Sequence, residues 1–175
     1  MVQSTWRRLV KSGLRRFGYD FIRFHPESSD GAKIMCALRY LGTDLVLDVG
    51  ANEGQHGRAL RDYGYTGRLV SFEPLTSAHA RLLGTASGDA KWTVHPRCAI
   101  GDHDGEVKIN IAGNNVSSSL LPMLDKHAAA APESKYIGSE VTPIFKLDTL
   151  APRYVQSARS VFLKIDSAWS YSACS

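Results

Sequence analysis

Two acidic residues close two short apolar runs of the sequence, and small or polar residues follow the first of them. Asp48 ends one run and is followed by Gly50, Asn52 and Gly54, and Glu73 ends the next run. Glycines at the end of a strand let a ligand approach the backbone, because no Cβ stands in the way. An acid at the end of the second strand can accept hydrogen bonds from ribose hydroxyls. The pattern therefore predicts a binding site for a nucleoside-containing ligand.

The residues around Asp48 discriminate between two such ligands. The dinucleotide pattern Gly-x-Gly-x-x-Gly is not present, since Asn52 holds the middle glycine position and the glycines are Gly50, Gly54 and Gly57. Asp48 would repel a pyrophosphate but attract the ammonium and sulfonium groups of S-adenosylmethionine. Glu73 would serve either ligand. A purely structural interpretation stays open, in which Asp48 caps the following helix and Gly50 makes a tight turn.

Alternating strand and helix patterns would bring these residues to one edge of a sheet. The sequence predicts helices at 29–41, 55–63 and 77–85, and buried strands at 45–50, 68–74 and 92–95. This order is typical of right-handed βαβ units with a parallel sheet, whose ligands bind at the carboxyl ends of the strands. Later segments are predicted as strands at 106–111, 141–147 and 161–166 and a short helix at 124–131. His56, in the first turn of its helix, is interpreted as an exposed residue.

Composition limits the function classes. The chain has 175 residues, of which 43% are hydrophobic and 22% charged, which is typical of one globular domain. The net charge is +4, but residues 1–25 carry six cations against Asp20, which leaves −1 for the rest and argues against a nucleic-acid partner. No apolar run is long enough to span a bilayer. Three separated cysteines predict no metal or disulfide framework and favour reduced thiols in the cytoplasm.

The N-terminal segment is predicted as an amphipathic helix over residues 5–24. Two interpretations remain: it packs on the main domain, or it lies on a membrane surface without stable insertion. We therefore predict an N-terminal helical segment at 1–42 and a ligand-binding domain at 43–175.

Six further blocks of the sequence are informative together: 47–55, 67–74, 99–105, 114–121, 124–132 and 163–166. In this order they resemble the FkbM family of S-adenosylmethionine-dependent methyltransferases. The resemblance implies a Rossmann-like class I methyltransferase fold, α/β with a doubly wound, mainly parallel sheet. It also implies methyl transfer, usually to a hydroxyl oxygen of a sugar or secondary metabolite. The cofactor would then contact Asp48, Gly50, Asn52 and Gly54 at its methionine end, Glu73 at the ribose, and Ala99, Gly101 and Asp102 near the adenine.

A hydroxyl acceptor becomes a good nucleophile when a base removes its proton. By the same resemblance Asp166 faces the reaction centre, and it and His127 are the candidate bases. The alternatives are that Asp166 only orients the acceptor and that His127 is a surface residue. Asn114 and Ser118 are candidate acceptor-binding residues, although serines in this loop could equally cap turns.

The sequence departs from the family after Asp166. The family continues with a Gly-x-Glu segment and further strands, whereas this chain continues with residues 167–175. We therefore expect a sheet that lacks its C-terminal strands, and an edge strand at 161–165 that is apolar on both faces and prone to self-association. Two functions follow as expectations: an O-methyltransferase, or a non-catalytic truncated fragment that at most binds the cofactor. Asp48 and Asn52 argue against an NAD-dependent oxidoreductase. Nucleic-acid methylation is less well supported, since no Asn-Pro-Pro-Tyr-like tetrapeptide occurs.

Overall fold

Seven strands and five helices are arranged around a central parallel sheet in the part of the chain that the structure describes. The computed structural model describes residues 30–112 and 136–166. In chain order the elements are α1 Asp30–Tyr40, β1 Leu45–Val49, α2 Gln55–Asp62, β2 Arg68–Phe72, α3 Thr76–Ala86, β3 Trp92–Val94, β4 Ala99–Gly101, β5 Gly105–Ala112, β6 Tyr136–Lys146, α4 Leu147–Leu150, α5 Pro152–Val155 and β7 Val161–Ile165.

The central sheet has the strand order β3-β2-β1-β7, and all of its neighbours are parallel. This arrangement confirms the predicted α/β class with a mainly parallel sheet, consistent with a Rossmann-like methyltransferase fold. A second sheet has the order β4-β6-β5, in which β4 runs parallel and β5 antiparallel to β6. Because all four central strands point the same way, their carboxyl ends share one edge.

Apolar side chains cover the two faces of the central sheet separately. On one face, helices α1, α2 and α3 pack Met35, Leu38, Leu60 and Leu82 against Val46, Leu69 and Trp92. On the other face, Leu150 and neighbouring residues of α4 and α5 pack on Leu45, Leu47, Val49, Val70 and Phe72. Burial of each large apolar side chain contributes about 1.5–3 kcal/mol. Successive residues of each strand pack on opposite faces of the sheet. This packing holds the strands in the register that brings the site residues to one edge.

Most predicted boundaries agree with the structure to within two residues. Residues 99–101, which the family resemblance places near the adenine, form the separate strand β4 of the second sheet. Three predicted features lie outside the described residues: the helix at 5–24, the polar loop at 114–121 and the helix at 124–131.

Strand β7 forms the edge of the central sheet among the residues described. It pairs with β1 alone, and its side chains alternate in exposure. Phe162 packs partly against the core, whereas Val161, Leu163 and Ile165 are 43%, 40% and 51% exposed. The predicted apolar edge is therefore present, with one face open. Across residues 30–112 and 136–166, no helix has the length and apolar character to cross a membrane.

Candidate functional site

The turn after β1 has a left-handed backbone that brings it onto β2. Gly50 has φ of 71° and Asn52 has φ of 49°, a region that favours glycine and in which asparagine is better tolerated than most side chains. The backbone N–H groups of Gly50 and Ala51 both donate to the carbonyl of Phe72, at 3.0 and 3.1 Å. The turn thereby lies against the end of β2, where Glu73 follows.

Glu73 is held by two backbone donors. Its Oε2 accepts from Asn52 N at 2.8 Å, and its Oε1 accepts from Leu75 N at 3.0 Å. The side chain is 4% exposed, and burial raises the pKa of its carboxyl despite these hydrogen bonds. Two carboxylate oxygens have about four acceptor sites, so this geometry leaves capacity for hydroxyl donors.

Asp48 forms a buried ion pair that the sequence interpretation missed. Its side chain has no exposed surface, and its Oδ1 lies 3.0 Å from Nζ of Lys164 on the adjacent strand β7. Burial raises the pKa of Asp48, and the Lys164 cation opposes that shift. The same Nζ lies 3.4 Å from the Gly50 carbonyl and 3.5 Å from Oδ2 of Asp166. From the sequence, Asp48 was expected to attract the cationic groups of a ligand. Because it is paired with Lys164, it does not present a free negative charge.

His56 is half-buried, so its interpretation as an exposed helix residue was wrong. Its first-turn position on α2 places it near the end of β1, within electrostatic reach of Asp48. Burial lowers the pKa of His56, while Asp48 acts to raise it. The net effect is a lowered pKa, so the neutral imidazole is favoured, and His56 joins the polar groups of the site.

Four buried polar atoms at this edge have no hydrogen-bond partner among the residues described: both carboxylate oxygens of Asp48, Oδ1 of Asn52 and Nε2 of His56. Of these, Oδ1 of Asp48 makes the 3.0 Å ionic contact with Lys164 Nζ. An unpaired buried polar group costs about 1–3 kcal/mol, so such atoms are usually paired with water or a ligand. Their clustering at the carboxyl ends of β1 and β2 fits a polar, nucleoside-containing molecule such as S-adenosylmethionine. Asp48 and Asn52 would lie toward its charged end and Glu73 toward its ribose.

Two of the glycines have a packing role. A Cβ on Gly57 would lie 2.3 Å from the Trp92 ring, and one on Gly54 would lie 3.0–3.2 Å from Leu82, Thr85 and Trp92. Gly54 also has φ of 88°, at the start of α2. These glycines let α2 approach β3 and α3 closely and so place the first turn of α2 at the site.

The remaining candidates are only partly brought together. Asp166 is 80% exposed and joins Asp48 through Lys164. Ala99 is buried, whereas Asp102 is exposed and pairs with its neighbour His103 at 2.7 Å, which holds the pKa of Asp102 below its usual value. Asn114, Ser118 and His127 lie outside the described residues. Lys164 could have been found from the sequence, since it precedes Asp166 by two positions on a strand expected beside β1.

A family model described as Methyltransferase FkbM domain matches residues 48–167. The match covers more than half of the 175 residues and includes Asp48, Glu73, Lys164 and Asp166. A search of curated proteins found no match for the chain.

Proposed function

The chain belongs to the FkbM methyltransferase domain family, and from that premise we propose that it is an S-adenosylmethionine-dependent O-methyltransferase. Its acceptor is a hydroxyl group of a small molecule or glycan, on a sugar or secondary metabolite. The observation that supports the cofactor best is the buried Glu73 carboxylate, which two backbone N–H groups orient beside the turn at 50–54. Cys36 and Cys98 are free thiols, in keeping with a cytoplasmic location.

The cofactor end of the site uses charge and hydrogen bonding. Glu73 would accept hydrogen bonds from ribose hydroxyls, and Gly50 and Asn52 would lie beside the methionine portion. Asp48 is already paired with Lys164 through Oδ1. Its other oxygen, Oδ2, can bind a donor or a bridging water. Gly54, Ala99, Gly101 and Asp102 remain in the proposed cofactor set on the family resemblance.

Methyl transfer requires few protein groups besides those that position the reactants. When bound, S-adenosylmethionine would supply a methyl group on a sulfonium: the acceptor oxygen would bond to the methyl carbon as the carbon–sulfur bond breaks, the neutral thioether would leave, and the hydroxyl proton would pass to a base. Asp166 is the proposed base, because it directly follows β7 at the carboxyl edge of the sheet and its carboxylate is exposed. His127 is the second proposed base, and Asn114 and Ser118 are the proposed acceptor-binding residues.

Calorimetric titration tests the cofactor. S-adenosylmethionine and NAD are each titrated into the wild-type chain and into the variants Glu73→Gln and Glu106→Gln. Glu106 is an exposed acid on β5 and serves as the matched control. We expect S-adenosylmethionine alone to bind, Glu73→Gln to weaken its binding about tenfold by loss of a charged acceptor, and Glu106→Gln to bind normally. Absence of binding by the folded wild-type chain, as judged by circular dichroism, would refute the proposal.

The second candidate is a protein that binds the cofactor without turnover. The open face of β7 favours it, because in the described part of the chain β7 pairs with β1 alone and its residues Val161, Leu163 and Ile165 are exposed. Methyl transfer to a panel of hydroxylated acceptors decides between the two. Turnover that Asp166→Asn abolishes while cofactor binding persists supports the methyltransferase, and binding without any turnover supports the second candidate.

A further inference from the structure

Cations collect at the amino ends of the central strands, at the opposite edge from the site described above. Lys91 directly precedes β3, Arg68 is the first residue of β2, and Arg159 lies two residues before β7. Arg39 joins them from the last turn of α1. Two cavities open at this edge, of about 420 and 340 Å³. The first is lined by Arg68 and Lys91 and the second by Arg39 and Arg159.

The two cavities adjoin, since both are lined by the same three residues: Asp44, Thr66 and Gly67. Thr66 and Thr93 add hydroxyl groups to the lining of the larger cavity. We refer to the pair of cavities as the amino-edge groove. The five-residue strand β1 separates it from the carboxyl edge by about 16 Å. A ligand in the groove would therefore leave the Glu73 region accessible.

The cations of the larger cavity make no direct contact with a carboxylate in the described ranges, although Asp89 lies within electrostatic reach of Lys91. Neither Arg68 nor Lys91 forms an ion pair within 4.0 Å with an acid of the described ranges. Lys91 Nζ donates to the Thr66 carbonyl at 3.1 Å, and Arg68 Nη1 donates to the Tyr154 carbonyl at 3.2 Å. Nη2 of Arg68 is buried without a hydrogen-bond partner in that part of the chain. Guanidinium groups that are partly removed from water usually face an anion.

Asp44 is the acid that lines the groove, and its hydrogen bonds come from backbone N–H groups rather than from Arg68 or Lys91. Its carboxylate accepts from the backbone N–H groups of Arg159 and Ser160 at 3.1 Å, and Arg159 Nε lies 3.5 Å away. These hydrogen bonds hold the pKa of Asp44 below its usual value, so it stays ionised at neutral pH. One carboxylate thus faces four cations, which leaves the groove with an excess of positive charge.

We propose that the amino-edge groove binds a small molecule that carries two adjoining anionic groups, of the chemical class of a diphosphate. Arg68 and Lys91 face one anionic group, and Arg39 and Arg159 face the other. The planar guanidinium groups suit phosphate oxygens, and the flexible Lys91 supplies a point charge. Because the two edges of the sheet are separate, the groove is occupied independently of the cofactor.

The probes are pyrophosphate and inorganic phosphate, titrated calorimetrically into the wild-type chain, Lys91→Gln, Arg68→Gln and Lys108→Gln at two ionic strengths. Lys108 is an exposed lysine on β5 and controls for net charge. We expect pyrophosphate to bind more tightly than phosphate and more weakly at higher salt. We expect Lys91→Gln and Arg68→Gln each to lower its affinity about tenfold and Lys108→Gln to leave it unchanged. Binding of S-adenosylmethionine should not change in Lys91→Gln.

Four results would overturn the proposal. The first is no binding of pyrophosphate by the wild-type chain, and the second is equal weakening by Lys108→Gln, which would indicate a general charge effect. The third is a lower melting temperature of Lys91→Gln and Arg68→Gln with unchanged pyrophosphate affinity. That result would mean that these cations serve only the carbonyl groups of Thr66 and Tyr154. Equal affinity for phosphate and pyrophosphate would contradict the paired-anion geometry.

Discussion

Nζ of Lys164 lies 3.0 Å from Oδ1 of Asp48, whose side chain is completely buried. The two residues are direct partners in the register of the parallel strands β1 and β7. A buried carboxylate without a counter-ion would cost several kcal/mol, so the pair couples the edge strand to the strand that carries the site. Through its further contact with Asp166, Lys164 links the proposed cofactor and acceptor sides.

Replacing Lys164 with methionine should lower the free energy of unfolding by about 3 kcal/mol at pH 7, because it leaves the Asp48 charge buried and unpaired. The cost should shrink as the pH falls and Asp48 becomes protonated. The measurement is urea denaturation at several pH values. The double variant Asp48→Asn with Lys164→Met should recover most of the loss, and strictly additive losses would contradict the coupling.

His95 should make the stability of the chain depend on pH. Its ring lies 5.2 Å from that of Phe72 and 6.1 Å from that of Tyr154, and its Nε2 is buried without a hydrogen-bond partner among the residues described. Burial lowers the pKa of His95 below the ordinary 6.5. Below about pH 6.5 the unfolded chain therefore takes up a proton that the folded chain does not, and the free energy of unfolding falls.

Urea titrations between pH 8 and 5 test this pH dependence. His95→Phe, which is neutral throughout, should show a smaller decline in the free energy of unfolding below pH 6.5 than the wild-type chain. His56 has the same direction of pKa shift and accounts for part of the residual decline. The largely exposed His103 provides the control, and His103→Gln should keep the decline. An unchanged slope in His95→Phe would contradict the assignment.

Two glycine-to-alanine substitutions should have opposite effects. Gly57→Ala places a methyl group 2.3 Å from the Trp92 ring and should destabilise by about 1–3 kcal/mol. Gly84→Ala, on the exposed side of α3 with no atom within 4 Å, should stabilise by about 0.5–1 kcal/mol. Chemical denaturation of both variants tests the prediction. Equal effects would show that Gly57 does not define the contact between α2 and Trp92.

Strand β7 is expected to promote self-association with a second copy of the chain, because its outer edge is unpaired among the described residues and one face is apolar. Sedimentation velocity at increasing concentration measures the association. Leu163→Lys, at a position 40% exposed, should shift the chain toward monomer. Leu83→Lys on α3, at a position 48% exposed, is the matched control and should leave the association unchanged. An equal shift in both variants would contradict a specific edge contact.

Much of the fold was predictable from local patterns. The strand at 45–50 and the helix at 55–63 were predicted close to their observed bounds, because the apolar runs, the glycines and the helical spacing are contained in neighbouring residues. The separate sheet that contains β4 was not predicted. Its short strand Ala99–Gly101 is defined by pairing with residues 144–146, which lie more than forty positions away.

The sequence by itself determined the βαβ order, the turn at 50–54 and the acids Asp48 and Glu73 that end two strands. Only the tertiary structure decided that Asp48 is neutralised by Lys164, that His56 is half-buried beside it, and that Arg39, Arg68, Lys91 and Arg159 meet at the opposite edge. The physical reason is that burial and ion pairing depend on the register between strands that are distant in the sequence. That register is set by how the two faces of the sheet pack, which no local pattern records.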